Sequence, residues 1–326
     1  MSLRWGTPEA PDRAILSKAF ATRAFHAHKG DAGRYRVLEA TDAGRRVALL
    51  ALRDIHVPGL YRRWAVLTEP EWLGPPADPA DALAALVAHA ASKGVDALDC
   101  RFNMARWPIG PVGAEVEPFG TYLVDLSGGV EAMRAGLSGN HRRIARKALE
   151  AGAVVGPLRD AGELVALMRS TYDRSGKALP FAPDYLRGWV EAPPVPCHAL
   201  GVHGPDGALD ACALVPYDRW RGYYLHGASR REGVPGAAVL ALVAAMEALI
   251  ADGVPAFDLG GARPDAQDPH LAGIARFKAR FGGAWEPVAR WSLERTPTAR
   301  WAHRIAAAGE RLRDRLSHLG RGRDGA

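Results

Sequence analysis

Between Phe257 and Gly283 the chain places an acid and a base within one short unit. FDLGG, residues 257–261, has the apolar start of a buried strand, carries Asp258, and ends in two glycines that allow a sharp turn. After a polar stretch rich in Pro and Asp, IARFKARF reads as a short basic helix that carries Lys278 and stops at Gly282 and Gly283. A carboxylate at a strand end and an ammonium on the next helix are thereby delivered to the same edge of a sheet. Such groups hold developing charge and relay protons, so chemistry is expected there. Phe277 and Phe281, four apart on one helix face, are expected to anchor that helix, with Phe277 also bordering the substrate.

The elements that must position these residues can be read on either side. Asp12 to His28 has helical spacing, with Ile15, Leu16, Ala19, Phe20 and Phe25 apolar. Tyr35 to Leu38 and Arg46 to Leu52 read as strands around the turn at residues 41–44, and Arg63 to Thr68 as a third strand. A helix from Ala80 to Lys93, ended by Gly94, leads to a strand from Ala97 to Phe102. The same order returns later. Strands at Cys197 to His203 and Ala208 to Val215 flank the turn Gly204-Pro205-Asp206-Gly207, and Tyr223 to His226 is the next strand. The helix from Pro235 to Asp252, ended by Gly253, and the strand from Ala256 to Leu259 complete it. KGVDALDC (93–100) and DGVPAFDL (252–259) superpose without a gap, pairing Gly94 with Gly253 and Asp99 with Asp258. The chain is therefore expected to be a duplicated α/β unit, with residues 1–126 as the first domain and 127–326 as the second.

Between the copies, TYLVDL (121–126) precedes Ser127 to Gly152, which reads as one basic amphipathic helix carrying His141, Arg142, Arg143, Arg146 and Lys147. Helices at Ala161 to Arg174 and Pro183 to Val190 follow, and Thr298 to Leu319 forms a charged amphipathic segment at the end.

Bulk properties remove several function classes. The 326 residues suit two domains, and no apolar run approaches the about 20 residues of a membrane helix. The first residues lack the basic-then-apolar profile of a signal peptide, so a cytoplasmic protein is expected. The three cysteines, Cys100, Cys197 and Cys212, have neither disulfide nor metal-ligand spacing, and the histidines are scattered without ligand partners. A net charge of +6 favours a polyanionic partner without naming one.

YYLHGAS (223–229), the 246–261 stretch ending FDLGG, and FKARFGG (277–283) together resemble the C-terminal signature of the FemABX aminoacyltransferases, of the acetyltransferase-like (GNAT) superfamily. HRRIARKALEAG (141–152) is similar to the basic helix that opens that family's second domain. The resemblance implies tandem duplicated GNAT-like domains, each a mixed twisted sheet flanked by helices. It implies transfer of an aminoacyl group from aminoacyl-tRNA to an amine of a peptide or peptidoglycan precursor, by a monomer without a cofactor. Lys278 matches the family lysine that neutralises the oxyanion formed when an amine attacks an ester. Asp258 either handles the acceptor amine or, like Asp99, closes a turn. His226 stands where the family has tyrosine, serving as a base or keeping the phenol's hydrogen bond, and Tyr224 lies on the same strand face as a pocket wall. Arg142, Arg143 and Lys147 either grip phosphates or form a solvated face, and Arg174 and Lys177 fall where the family holds its acceptor.

The rival on the same fold is an acyl-CoA-dependent N-acyltransferase. Its pyrophosphate loop would be Ala228 to Ala238, where the pattern holds from Arg230 through Gly233 but Pro235 replaces a residue whose N–H should face a phosphate. A non-enzymatic RNA-binding protein leaves the lysine helix without a purpose.

Overall fold

The computed structural model describes residues 3–8, 17–102, 104–263 and 265–301. In chain order the first half runs β1 (Arg4–Gly6), α1 (Arg23–His28), β2 (Tyr35–Asp42), β3 (Arg45–Val57), β4 (Tyr61–Val66), β5 (Glu71–Trp72), α2 (Pro79–Ser92), β6 (Ala97–Cys100) and β7 (Glu115–Asp125). The second half runs α3 (Gly129–Gly136), α4 (Gly139–Glu150), β8 (Val154–Pro157), α5 (Ala161–Arg174), α6 (Pro183–Glu191), β9 (Cys197–His203) and β10 (Leu209–Pro216). It closes with β11 (Gly222–Tyr223), β12 (His226–Ser229), α7 (Ala237–Ala251), β13 (Ala256–Ala262), α8 (Pro269–Ala279) and β14 (Ala284–Glu294).

The expected repeat is present as a pairing pattern. In the first copy the β2–β3 hairpin turns at Ala43 and Gly44, both at positive φ, and β4 pairs parallel with β6, Ala65 opposite Asp99. In the second copy β9 and β10 form the hairpin and β11 pairs parallel with β13, Tyr223 opposite Asp258. The crossover helices α2 and α7 make these parallel connections possible.

The closing strand of each copy crosses to the other. β7, from the first half, pairs with β13, while β14, from the second, pairs with β6 and with β7. A sheet of ten strands results, in the order β1-β2-β3-β4-β6-β14-β7-β13-β11 with β5 beside β3, and a second sheet follows the order β12-β10-β9-β8. The cores record the same exchange. Ala289 and Trp291 of β14 are buried among first-half residues such as Leu50, Leu86 and Leu98. Val124 of β7 is buried among second-half residues such as Met246 and Phe257. A third cluster, with Phe20 and Phe25 against Trp189, Leu214 and Tyr223, joins the halves directly.

Three expectations change. The single helix over 127–152 is two, because Leu137 is extended and Ser138 starts a new helix, its hydroxyl accepting from His141 N at 3.2 Å. The helix expected from Asp12 is, in its described part, a 3₁₀ turn at Ala19–Ala21 followed by α1, which Thr22 caps; residues 12–16 lie outside the described residues. The strand expected over 223–226 is broken at Tyr224–Leu225, where the chain passes from one sheet to the other. Of the expected C-terminal helix, residues 297–301 are helical and the rest lies outside the described residues.

Candidate active site

The break at Tyr224 is where the site forms. Tyr224 N still donates to Asp258 O at 2.8 Å, but the next amide, Leu225 N, donates to Leu214 O in the other sheet at 3.1 Å. Past this point β12 continues in the second sheet while β13 stays in the first, so the two strands part. β13 bends there through Gly260 at φ +74°, a conformation that favours glycine. A side chain at 260 would also crowd Met104 and the Tyr224 carbonyl, so glycine fits this corner.

Asp258 sits beneath the corner and is fully buried. Its Oδ1 accepts from Gly260 N at 2.8 Å and lies 2.6 Å from the Thr121 hydroxyl. Its Oδ2 takes the guanidinium of Arg106, through Nε at 2.6 Å and through Nη2. A carboxylate removed from water requires such donors, and here they are supplied from both halves. Arg106 is itself 6% exposed at the side chain, and its backbone N donates to Glu69, which pairs with Lys18. With its oxygens occupied and no surface exposed, Asp258 shapes the Gly260 turn and has no face toward a substrate.

Lys278 reaches the corner from α8. That helix starts at Asp268, whose carboxylate accepts from His270 N and Leu271 N, with Pro269 in its first turn. Phe281 is fully buried, and the His141 ring of α4 lies 4.5 Å from it and 5.4 Å from Phe277. Phe277 is thus a half-buried anchor seated on α4, the role its spacing suggested. The glycines that end α8 answer a packing demand: Gly282, at φ +84°, approaches the Gly136 carbonyl, and Gly283 lies on the Leu123 backbone. So fixed, α8 aims Lys278 Nζ at the Gly261 carbonyl, 2.8 Å away. Burial lowers the lysine pKa to about 8, opposed by the Asp258 charge and reinforced by that of Arg106.

His226 opens β12, in the second sheet. Its Nε2 is 3.0 Å from the Tyr185 hydroxyl, and its ring meets Phe181 edge-on at 4.4 Å. Burial, with the charge of Lys29, pushes its pKa down to about 3, so the imidazole is neutral at physiological pH. Tyr224 does not share a strand face with His226, because both strands end between them. Its phenol instead lies over Gly227, where any side chain would collide with it. Burial raises the Tyr224 pKa, so the group remains a hydrogen-bond donor.

The remaining basic candidates separate. Arg142 Nη1 donates to the Ala135 carbonyl at 2.8 Å and to that of Leu137, closing the end of α3. Arg143 is exposed and bonds Asn140 of its own helix, and Lys147 is exposed on the same helix. Arg174, at the end of α5, is exposed; Lys177 lies close enough to Asp268 for its charge to help lower that carboxyl's pKa, after the backbone bonds that cap α8. Lys177 therefore lies near the start of α8, while Thr171 and Phe181 of the same segment lie against β12. Sequence reasoning missed Arg106 and Thr121, which act on Asp258 from 152 and 137 residues away. The available signal was the acid itself, since a carboxylate in a buried strand requires a cation.

Two recesses lie elsewhere on the molecule. One of about 220 Å³ is lined by Lys29, Arg53, Arg63, Arg101, Asp99 and aromatic rings, at the place in the first copy that corresponds to the Lys278 corner in the second. In that copy Arg101 and Phe102 stand 159 positions before Gly260 and Gly261. A larger, apolar cavity of about 700 Å³ lies against Phe119, Ala262 and Trp285 and contains neither Lys278 nor Asp258. Among the described residues no group of His, Cys, Asp and Glu could hold a metal, and no helix is long and apolar enough to cross a membrane.

Superposition on solved structures matches this architecture over nearly the whole chain. FemX aligns over 90% of this chain and 97% of its own, with a TM-score of 0.66 at 15% identity. The chain has a FemX-like fold. The same FemX-like arrangement aligns with L-PGS from Bacillus licheniformis over 96% of this chain and 99% of that one, with a TM-score of 0.52 at 15% identity. It also aligns with a C-terminal DUF2156 domain from Agrobacterium fabrum, assigned to a lysylphosphatidylglycerol synthetase, over 91% and 94% of the two chains, with a TM-score of 0.54 at 17% identity. No family model matches the chain, and a search of curated proteins finds no match.

Proposed function

We propose that this protein is an aminoacyltransferase that moves an aminoacyl group from aminoacyl-tRNA to an amine of a peptide or peptidoglycan-precursor acceptor. The observation that carries the reading is the Lys278 ammonium, anchored on the Gly261 carbonyl beside the point where β12 and β13 part. The acceptor amine attacks the ester carbonyl, the new C–N bond forms, the ester C–O bond breaks, and the amine proton ends on the released ribose hydroxyl. The negative charge on the tetrahedral intermediate is what a fixed cation stabilises best in a partly dry site. His226, with a pKa of about 3, is a weak proton acceptor and is assigned to holding Tyr185. The four-cation recess around Arg53 and Arg101 suits an anionic part of the acceptor, and the charge of Lys29, in its lining, reaches His226. Arg143 and Lys147 remain available for tRNA phosphates, and residues 1–126 and 127–326 are the two units.

Acyl-CoA as donor fits less well. The loop that would cradle its pyrophosphate is folded around the buried Asp210, whose carboxylate already takes Val234 N at 2.7 Å and Arg230 Nε at 2.6 Å. Gly236, at the start of α7, is pressed against the Ile144 carbonyl of α4. A second anion there would face a carboxylate and a covered helix end. The deciding experiment offers the protein charged tRNA or acyl-CoA with a peptide amine acceptor. RNase-sensitive transfer, abolished in Lys278→Ala, is expected; RNase-resistant transfer from the thioester would replace this reading with the rival.

A further inference from the structure

The buried pair between Arg106 and Asp258 crosses from the first half to the second immediately beneath Lys278. Asp258 is the nearest carboxylate to act on the lysine, yet the lysine's hydrogen bond goes to the neutral Gly261 carbonyl. What diverts it is occupancy. Arg106 takes Oδ2 through two nitrogens, while Gly260 N and the Thr121 hydroxyl take Oδ1. Arg106 is held in turn by its backbone bond to Glu69 and by Met104, whose sulfur lies 3.9 Å from Nη2.

We infer that Arg106 is a positioning residue for Lys278: by saturating the Asp258 carboxylate it keeps the ammonium on the Gly261 carbonyl, free of a permanent counter-ion and able to face an incoming negative charge. The inference deepens the transferase reading and rests on it for its catalytic meaning, but the geometry it invokes exists without substrate. Among the described residues, two charges act on the lysine. Asp258 below it favours the ammonium, Arg106 disfavours it, and burial against Gly260 and Met104 disfavours it most. Removing the guanidinium therefore does two things in the same direction. It deletes a repulsive charge, and it leaves a buried carboxylate whose best remaining partner is the lysine. Lys278 then becomes a neutralised structural cation, bound to Asp258 instead of the carbonyl.

The test follows the protonation of Lys278 by competitive acetylation with acetic anhydride across the alkaline range, read by mass spectrometry, alongside the pH–rate profile of transfer. In Arg106→Gln the labelling midpoint of Lys278 is expected to rise by about one to three pH units. The alkaline limb of kcat, where the ammonium loses its proton, moves up with it, and kcat at neutral pH falls roughly 100-fold with donor KM little changed. Arg106→Lys keeps a cation on the carboxylate and is expected to restore both midpoints. Arg106→Gln combined with Asp258→Asn buries no lone charge, which guards against a variant that does not fold, and its Lys278 midpoint should not rise. A Lys278 midpoint unchanged in Arg106→Gln, or raised equally in the double variant, overturns the inference whatever happens to kcat. A shifted midpoint in a protein that transfers nothing from charged tRNA leaves the Arg106 role standing and removes the reaction proposed above.

Discussion

His226 shows how a residue can be conspicuous in a sequence and quiet in its surroundings. Placed in a YYLHGAS motif, it invites the reading of a base, yet rings from α6 and the preceding loop enclose it and Tyr185 takes its Nε2. Its folded pKa near 3 means that no proton is gained or lost between pH 5 and 7. The pH profile of kcat/KM is therefore expected to lack a limb near the ordinary histidine value of about 6.5. Replacement by Phe strands the Tyr185 hydroxyl, a loss of about 1–3 kcal/mol, whereas Tyr offers a new partner and should retain more activity. A limb at that pH, or equal losses in the two variants, would return His226 to proton transfer. Asp258 and Lys278 were legible because their types and spacing signalled charge at a sheet edge. Arg106 was not, since nothing local to residues 102–107 announces that its partner lies 152 positions on.

At the scale of the element, α8 shows which parts of a motif are chemistry and which are fitting. Of FKARFGG, the lysine reaches the corner, the two phenylalanines seat the helix on His141, and the glycines permit close approach to α3 and β7. Gly282→Ala would place a methyl group against the Gly136 carbonyl in a left-handed backbone conformation. A destabilisation of about 1–3 kcal/mol is expected, read as a lower urea midpoint at unchanged m-value. The variant should also misplace Lys278 and lower kcat, because the helix cannot settle without moving its lysine. Stability equal to that of the unaltered protein would show that α8 docks more loosely. The helices and hairpins were readable for a simple reason: each carries its own periodicity and stop signal. The break at Leu137–Ser138 inside a continuous basic pattern was hidden, because amphipathic spacing persists across it and only the Ser138 cap marks the new start.

For the whole molecule, the repeat of Asp99 and Asp258 gave the two-copy architecture, but the exchange of β7 and β14 had no local signal. Antiparallel pairing between residues 97–100 and 291–294 is a matter of topology, decided only when the chain collapses. Its energetic weight is large. The first half alone would lack Trp291, which is 1% exposed, and losing such a side chain costs about 3–5 kcal/mol against a domain stability of about 5–15 kcal/mol. Residues 1–126 expressed alone are therefore expected to show no cooperative thermal transition. Mixing with 127–326 should restore one, followed by circular dichroism. A fragment that folds by itself would mean the exchanged strand adds little.

The same interlacing bears on how substrates arrive. A pair of lobes tied only by a linker can open like jaws, and binding energy is then spent on bringing them together. Here each lobe is sewn through the other, so the floor joining Arg106 to the lysine corner is a fixed bench and not a closing mouth.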